Sequence, residues 1–489
     1  MKIIKTFLIG LFVVASATSC SDNFFDVNQS VNGPNSATPE LSLPVAQKFS
    51  ADLLSGDYNS MNTLGNLWSY AWAAGGDFAY FREETLYNVT SAFRTGTFNN
   101  AYLLPLNNYQ VIDDNLDPKY ANFRAIAKIM KAFHYQYLVD TYGNIPYSQA
   151  LQHINNPKPA YDDAKTIYDD LIVQLTAAQA LIVANSSDPS VEIPSANQDV
   201  MCKGNMGQWL KFANTLKLRI LLRQTPKSTS VDFSSVTGNS YGFLGAGETV
   251  YCNPGYVNDA GKQNPLYANF GKTVAGDPAS NAGATRATPN VLALLTTPAL
   301  DPRKNKLFAF VGTGTTYAGI AQNNLAGPPS ASLSGLGSGI IKSSTQNAII
   351  MQAAESYFLQ AEAIARGVAI PGNEQTLYES GVQASFDELG AGTAATYLTT
   401  LSGIYDTSTL DSKIKSIITQ KYIALMSTNG IENWIEWRRT GYPTNVIPAP
   451  TTITGIPVRL LYPTTEYSSN AANVPVVASP FTSKVFWDN

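Results

Sequence analysis

Six aromatic side chains crowd one early stretch of the chain: Trp68, Tyr70, Trp72, Phe78, Tyr80 and Phe81, interrupted by Gly75-Gly76-Asp77. Flat aromatic faces stack on the C–H faces of sugar rings. Asp77 and Arg82, beside them, have the groups to hydrogen-bond ring hydroxyls. An apolar floor with a few directed polar groups is the usual make-up of a small-ligand pocket. The spacing has a second meaning. Trp68 and Trp72 stand at i and i+4, which also describes the buried stripe of a single helix.

Other reactive side chains are sparse. There are two histidines, His134 and His153, and no HExxH run, so zinc hydrolysis has no sequence support. His134 lies among Phe133, Tyr135 and Tyr137 in a helical pattern and reads as a packed core residue. Acids pair at Asp113-Asp114, Asp162-Asp163 and Asp169-Asp170. A glycosidase needs two carboxyls facing each other across a cleft; adjacent acids on a helical pattern read as caps or solvated faces. Gly335-Leu336-Gly337-Ser338-Gly339 lacks the Lys-Ser/Thr of a phosphate loop and reads as a turn. No cofactor and no metal site is expected.

The first residues have a different kind of chemistry. Lys2 and Lys5 precede an apolar run that is too short to span a bilayer and ends in Ala17-Thr18-Ser19-Cys20. This is the pattern of a secretory signal over residues 1–19. A Cys directly after small residues resembles a bacterial lipobox, which implies that Cys20 carries lipid and anchors the chain. Without Lys2 and Lys5 the chain has 30 basic against 36 acidic residues, a net charge of −6. No basic run appears, which argues against nucleic acid. No later stretch reads as a transmembrane span. Cys202 and Cys252 remain; in an oxidising compartment they pair or stay as two buried thiols, and the sequence leaves both open. Charged residues make up only 14%, while Tyr numbers 26. That surface suits uncharged, hydroxyl-rich ligands.

Amphipathic helices must position these groups. Apolar spacing predicts helices over residues 122–142, 162–184, 206–223, 348–366, 373–389, 410–426 and 431–439. Asp162 or Asp163 can cap the second, and Gly143, Gly367 and Gly441 can end others. Residues 226–345 are rich in Gly, Ser, Thr and Asn and lack periodicity, apart from a short helix at 289–295. A connection this long is functional when ordered. Successive helices of similar length suggest tetratricopeptide-like pairs, with a generic helical bundle as the other reading.

Several segments in order resemble the SusD/RagB family of outer-membrane lipoproteins. They are Asp22-Asn23-Phe24-Phe25-Asp26 after Cys20, the helix ending in Thr141-Tyr142-Gly143-Asn144-Ile145-Pro146-Tyr147, and Asp301-Pro302-Arg303. Ala354-Glu355-Ser356-Tyr357-Phe358 and Trp434-Ile435-Glu436-Trp437-Arg438-Arg439 follow, then Arg459-Leu460-Leu461-Tyr462-Pro463 and the closing Phe486-Trp487-Asp488. The resemblance implies a mainly α fold: a tetratricopeptide-like helical-repeat scaffold with long irregular insertions, forming a single domain over 20–489. The scaffold would occupy roughly 121–225 and 347–442, and ligand-face insertions roughly 56–110 and 226–346. It implies a lipid-anchored, exterior-facing protein that binds nutrient without turnover. An oligosaccharide would be captured and delivered to a SusC-like TonB-dependent outer-membrane transporter. Peptide binding and a surface glycoside hydrolase are the competing readings. Ligand contacts would come from the early region and the long insertion, which adds Tyr256, Tyr267 and Asn281 to Trp68, Trp72, Asp77, Tyr80 and Arg82. Trp434, Trp437 and Arg438 are expected to be structural.

Overall fold

The computed structural model describes residues 37–228, 230–447 and 455–488. The signal segment, Cys20 and the motif after it lie outside them. The helices that carry the fold are α1 Pro39–Ala51, α2 Met61–Trp68, α3 Asn107–Asp113, α4 Ala121–Tyr142, α5 Ala164–Ala184, α6 Met206–Arg223, α7 Ala353–Ala365, α8 Glu374–Leu389, α9 Leu410–Leu425 and α10 Gly430–Thr440.

Their ends follow from local chemistry. Asp163 caps α5, accepting the Lys165 and Thr166 N–H groups. Asn205, Asn373 and Thr409 cap α6, α8 and α9 in the same way. Gly390 and Gly441 close α8 and α10 in the left-handed conformation. One boundary departs from the sequence reading. Residues 348–351 do not begin a helix; they form a strand paired with residues 250–252, and α7 starts only at Ala353. The β-branched Ile349 and Ile350 suit that extended pairing. By length and composition α5 could cross a membrane, contrary to the sequence expectation. It packs instead between α4 and α6 and carries Lys165, Asp169 and Asp170.

Helix packs on helix along the chain: α3 on α4, α4 on α5, α5 on α6, α6 on α7, then α7 on α8 and α9. The early region is not only loop. α2 packs against α10, and this crossing is unusually close. A Cβ on Gly65 would overlap the Gly430 backbone, and one on Gly430 would overlap Asn66. Asn62 and Asn66 bind across the seam: Asn62 Nδ2 donates to the Ser427 carbonyl at 3.0 Å, Asn62 Oδ1 accepts Gly430 N–H at 2.8 Å, and Asn66 Oδ1 accepts Ser427 N–H at 2.8 Å.

A buried ionic network joins the scaffold helices. Arg223 of α6 binds Glu432 at 2.7 Å and Glu436 of α10. Lys421 of α9 reaches Glu432 at 3.1 Å. Arg439 of α10 binds Glu362 of α7 and Glu436 at 2.6 Å each, and Arg219 meets Glu355 at 3.2 Å. Neighbouring cations hold the Glu362, Glu432 and Glu436 carboxyls below their usual range, whereas burial holds Glu355 above it. Arg438 packs over Trp434 and Trp487 and binds Asp488 at 2.8 Å, while the Trp434 indole donates to the Pro457 carbonyl. These motif residues are structural, as expected. So is Arg303, which lies between Phe386 and Tyr397 and is paired with Asp301.

Three two-stranded antiparallel pairs tie the insertions to this frame: β1 Trp72–Ala74 with β5 Thr285–Ala287, β2 Ile145–Pro146 with β3 Tyr161–Asp162, and β4 Val250–Cys252 with β6 Ala348–Met351.

Candidate functional site

The β1–β5 pair fuses the early aromatic stretch to the long insertion. Its register sets Trp72 against Ala287 and Ala74 against Thr285. Beyond β1 the chain runs so near the insertion that Gly75 has no room for a side chain beside Ser330, and Gly76 none beside the Gly327 carbonyl. Gly75 N–H donates to the Ala284 carbonyl and Gly76 N–H to that of Pro328. Further polar ties complete the joint. Asp77 accepts Ser330 N–H at 2.8 Å and its hydroxyl at 2.6 Å, and these bonds hold the carboxyl below its usual range. Gln322 Nε2 donates to the Leu67 and Trp72 carbonyls at 2.8 Å each. Asn323 bonds the hydroxyl and the carbonyl of Thr85, both at 2.6 Å. The half-buried Arg286 guanidinium donates to the Ser330 carbonyl and to those of Ala282 and Thr285.

What this joint leaves outward is an aromatic ledge. Phe78 and Tyr80 are half-exposed and meet edge to face, with centroids 5.5 Å apart. Tyr80 meets Phe81 the same way at 6.1 Å, and buried Phe81 stacks on Tyr58 at 5.3 Å. Helix 280–284 borders the ledge: a Cβ on Gly283 would press on the Phe78 ring tip. Asn281 lies on that helix and is nearly buried. The side chain of Arg82, half-exposed, is in no hydrogen bond or ion pair among the described residues. The backbone here is strained. Tyr70, Phe81, Tyr87 and Arg94 all have φ between 46° and 61°, and bulky residues rarely adopt such values outside sites that need them.

The structure therefore sets Asp77 and Tyr80 along one stretch, with Arg82 two residues beyond Tyr80, and keeps Asn281 buried on the helix that borders the ledge. It separates the two tryptophans from them. Trp68 and Trp72 are both 0% exposed. The Trp68 indole donates to the Glu84 carbonyl, and its ring packs on Trp434 and Phe93. The Trp72 indole donates to Ser427 Oγ, and its ring packs on Phe270. Neither ring has a face left for a ligand in this conformation, so the stacking expectation for these two is corrected to core. Tyr267 is half-exposed on helix 265–270, which packs against the helix of Asn281. Tyr256 is buried; among the described residues its hydroxyl has no partner and its ring shares no contact with the ledge.

Sequence reasoning missed the insertion's contribution: Gln322, Asn323, Ser330 and Arg286. Its one visible sign was the density of Gly, Asn and Ser around them. It also missed a groove of about 830 Å³ between α4, α5 and the loop after β2, lined by Tyr135, Tyr147 and Asp170 among others.

The remaining chemistry candidates serve the fold. His134 is buried, and burial alone holds its imidazole down to about 3, so it is neutral. Its Nε2 hydrogen-bonds with Ser50 Oγ at 2.7 Å, and that hydroxyl also lies 3.0 Å from the Ala46 carbonyl and from the Tyr109 hydroxyl. Asp113 pairs with Lys128 and Lys131, Asp163 caps α5, and Asp169 pairs with Lys165. Cys202 and Cys252 are separate buried thiols, which settles the alternative left open by the sequence.

Residues 45–463 match the model of a SusD-like family described as starch-binding and associating with the outer membrane. No curated protein matches the chain. Solved structures do. A chitin-binding SusD homolog from Flavobacterium johnsoniae is 21% identical with a TM-score of 0.73, over 92% of this chain and 98% of that one. A SusD homolog from Bacteroides uniformis is 22% identical at 0.74, over 92% and 99%. One from Bacteroides vulgatus is 22% identical at 0.72, over 91% and 97%. At these identities the likeness is one of fold, and it confirms the helical-repeat architecture.

Proposed function

Since this chain belongs to the SusD-like family, we propose that it captures oligosaccharide at the cell surface without turning it over and hands it to a TonB-dependent outer-membrane transporter. Cys20 would carry the lipid that keeps it there, facing the cell exterior. One observation supports the reading: beside the β1–β5 joint, Phe78 and Tyr80 meet edge to face and both are half-exposed. Two rings set edge to face offer a sugar an apolar platform. The Arg82 guanidinium, without a partner among the described residues, offers donors to hydroxyls. The family description and the chitin-binding relative both support a glycan as the cargo.

Calorimetry on protein beginning at Ser21, with maltohexaose and chitohexaose, tests this. At least one should bind. Phe78→Ala and Tyr80→Ala should each weaken it at least tenfold, about 1.4 kcal/mol. Unchanged affinity in both variants would remove the ledge as the site, and release of shorter sugars would replace binding with hydrolysis. Acyl mass on Cys20 in membranes tests the anchor.

A further inference from the structure

A second site lies away from the ledge, on the scaffold itself. The groove between α4, α5 and the loop after β2 measures about 830 Å³, and a more apolar cavity of about 420 Å³ adjoins it. The two share Ala150, Leu151 and His153 as a common wall. That wall is held in an uncommon shape, with Leu151 at φ 63° and His153 at φ 51°. Opposite, Tyr102–Leu106 forms a π-helical turn with Pro105 inside it. Such turns are frequent at functional sites. It pushes Leu103 outward to 67% exposure, and across the wall Ile154 is 91% exposed. A chain of rings lines the space: Phe98 meets Tyr102 at 4.9 Å, Tyr102 meets Tyr135 at 6.1 Å, and Tyr135 meets Tyr147 at 4.7 Å.

The charges along this groove do not balance. Lys128 and Lys131 both bind one carboxylate, Asp113, at 3.0 and 2.9 Å. Asp114, Asp162, Asp170 and Glu466 have no cationic partner among the described residues. They accept instead from neutral groups: Asp114 from Gln110, Asp162 from Ser148, Asp170 from the Tyr147 hydroxyl at 2.5 Å and Glu466 from the Tyr161 hydroxyl at 2.8 Å. Two ammonium groups thus face five carboxylates, for a net charge of −3. Carboxylates set among tyrosine faces are the surroundings that stabilise an organic cation. The adjoining apolar cavity and its exposed Leu103 call for an aliphatic or aromatic side chain, which an aminosugar does not carry.

We propose that this double groove docks a polypeptide segment in which Lys or Arg alternates with large apolar residues. The cations sit against Asp114 and Asp170, and an apolar side chain fills the cavity beside Leu103. The reading is independent of the ledge.

The test uses the capped pentapeptide Leu-Lys-Leu-Lys-Leu, its Leu-Glu-Leu-Glu-Leu counterpart and a glucosamine tetramer, each titrated into protein beginning at Ser21. The lysine peptide should bind, more weakly in 0.5 M salt, and the glutamate peptide should not. Asp114→Asn with Asp170→Asn keeps the Tyr147 and Gln110 hydrogen bonds possible and should weaken the lysine peptide by about tenfold. Leu103→Ser should weaken it without changing its salt dependence, and Tyr80→Ala should leave it unchanged. The proposal is overturned by equal binding of both peptides, by no binding of the lysine peptide, by tighter binding of the glucosamine tetramer to this groove, or by loss of peptide binding in Tyr80→Ala. That last result would put the peptide on the ledge, whereas loss of oligosaccharide binding alone would bear only on the ledge.

Discussion

Residues 61–74 and 75–87 are neighbours with similar side chains, and they face opposite ways. In the first, Trp68 and Trp72 are sealed, their N–H groups bonded to Glu84 and Ser427, and Asn62 and Asn66 are bound into the seam with α10. In the second, Phe78 and Tyr80 keep faces toward solvent, and Asp77 binds loop to loop. The divide is a matter of backbone. α2 ends at Trp68, Tyr70 turns the chain at φ 61°, and the stretch that follows pairs with the insertion instead of continuing a helix. Residue type therefore does not separate core aromatics from ligand aromatics here. What the polar groups beside them are bonded to does.

The largest effect that would sharpen this contrast is at the α2–α10 crossing. Gly65→Val places branched carbon where the Gly430 backbone already lies. A backbone clash cannot be relieved by a rotamer change, so the variant should lose about 3 kcal/mol or more, at the upper end of overpacking costs. Urea denaturation followed by circular dichroism would show it. Gly283→Ala, next to the ledge, meets only the movable tip of Phe78 and should cost well under half as much.

Trp68→Ala comes next. It removes a fully buried indole packed on Trp434 and Phe93, and about 3–5 kcal/mol of stability is expected to go with it. Oligosaccharide affinity measured well below the melting temperature should change little. The comparison would be broken if affinity were lost and stability kept, because Trp68 would then reach the ligand.

A third effect depends on pH. His134 titrates near 6.5 when unfolded, and burial depresses it to about 3 in the fold. Below pH 6.5 the unfolded chain therefore binds a proton that the native state refuses, so stability falls as pH drops through that window. The slope from this group is about 1.4 kcal/mol per pH unit, roughly 3 kcal/mol by pH 4.5. Buried Glu355, raised by desolvation, pulls in the opposite sense, since the fold holds its proton more tightly than the unfolded chain does. The difference between wild type and His134→Gln isolates the imidazole: the two unfolding free energies should run parallel above pH 7 and diverge below 6. Parallel lines down to pH 4.5 would mean that the ring takes up its proton in the folded state.

These contrasts also mark what could be read from sequence. Helices 206–223, 373–389 and 410–426 fell within a residue of their structural bounds, because apolar spacing and an Asn or Thr cap agree there, with Gly390 ending the second. The 348–351 strand was hidden, because its partner lies about a hundred residues upstream in a stretch without periodicity. The ledge was half legible. Its aromatics and Asp77 stood out, but the left-handed turns at Tyr70, Phe81 and Tyr87 did not, since none is a glycine. The double groove left almost no trace. It arises where the loop after β2 folds back beside α4, and its tyrosines read as ordinary helix-face residues.

The smallest effect probes how far the ledge depends on its ties. Asn323 has φ 60° and binds Thr85 twice at 2.6 Å, bridging the insertion to the short helix Arg82–Thr85. Asn323→Gly keeps a backbone that glycine adopts freely and removes only the two side-chain bonds. Each contributes about 1 kcal/mol or less at an exposed position. Global stability should barely move, because the β1–β5 pair and Gln322 still hold the joint. The ledge itself would sample more orientations, and a ligand would have to bear the ordering that Asn323 now supplies in advance. Oligosaccharide affinity should fall about two- to fivefold while the lysine-peptide affinity of the scaffold groove stays constant. Equal weakening at both places would mean that the loop face and the scaffold respond as one body. Weakening at the ledge alone would show that its rings are useful to a ligand only while the insertion holds them still.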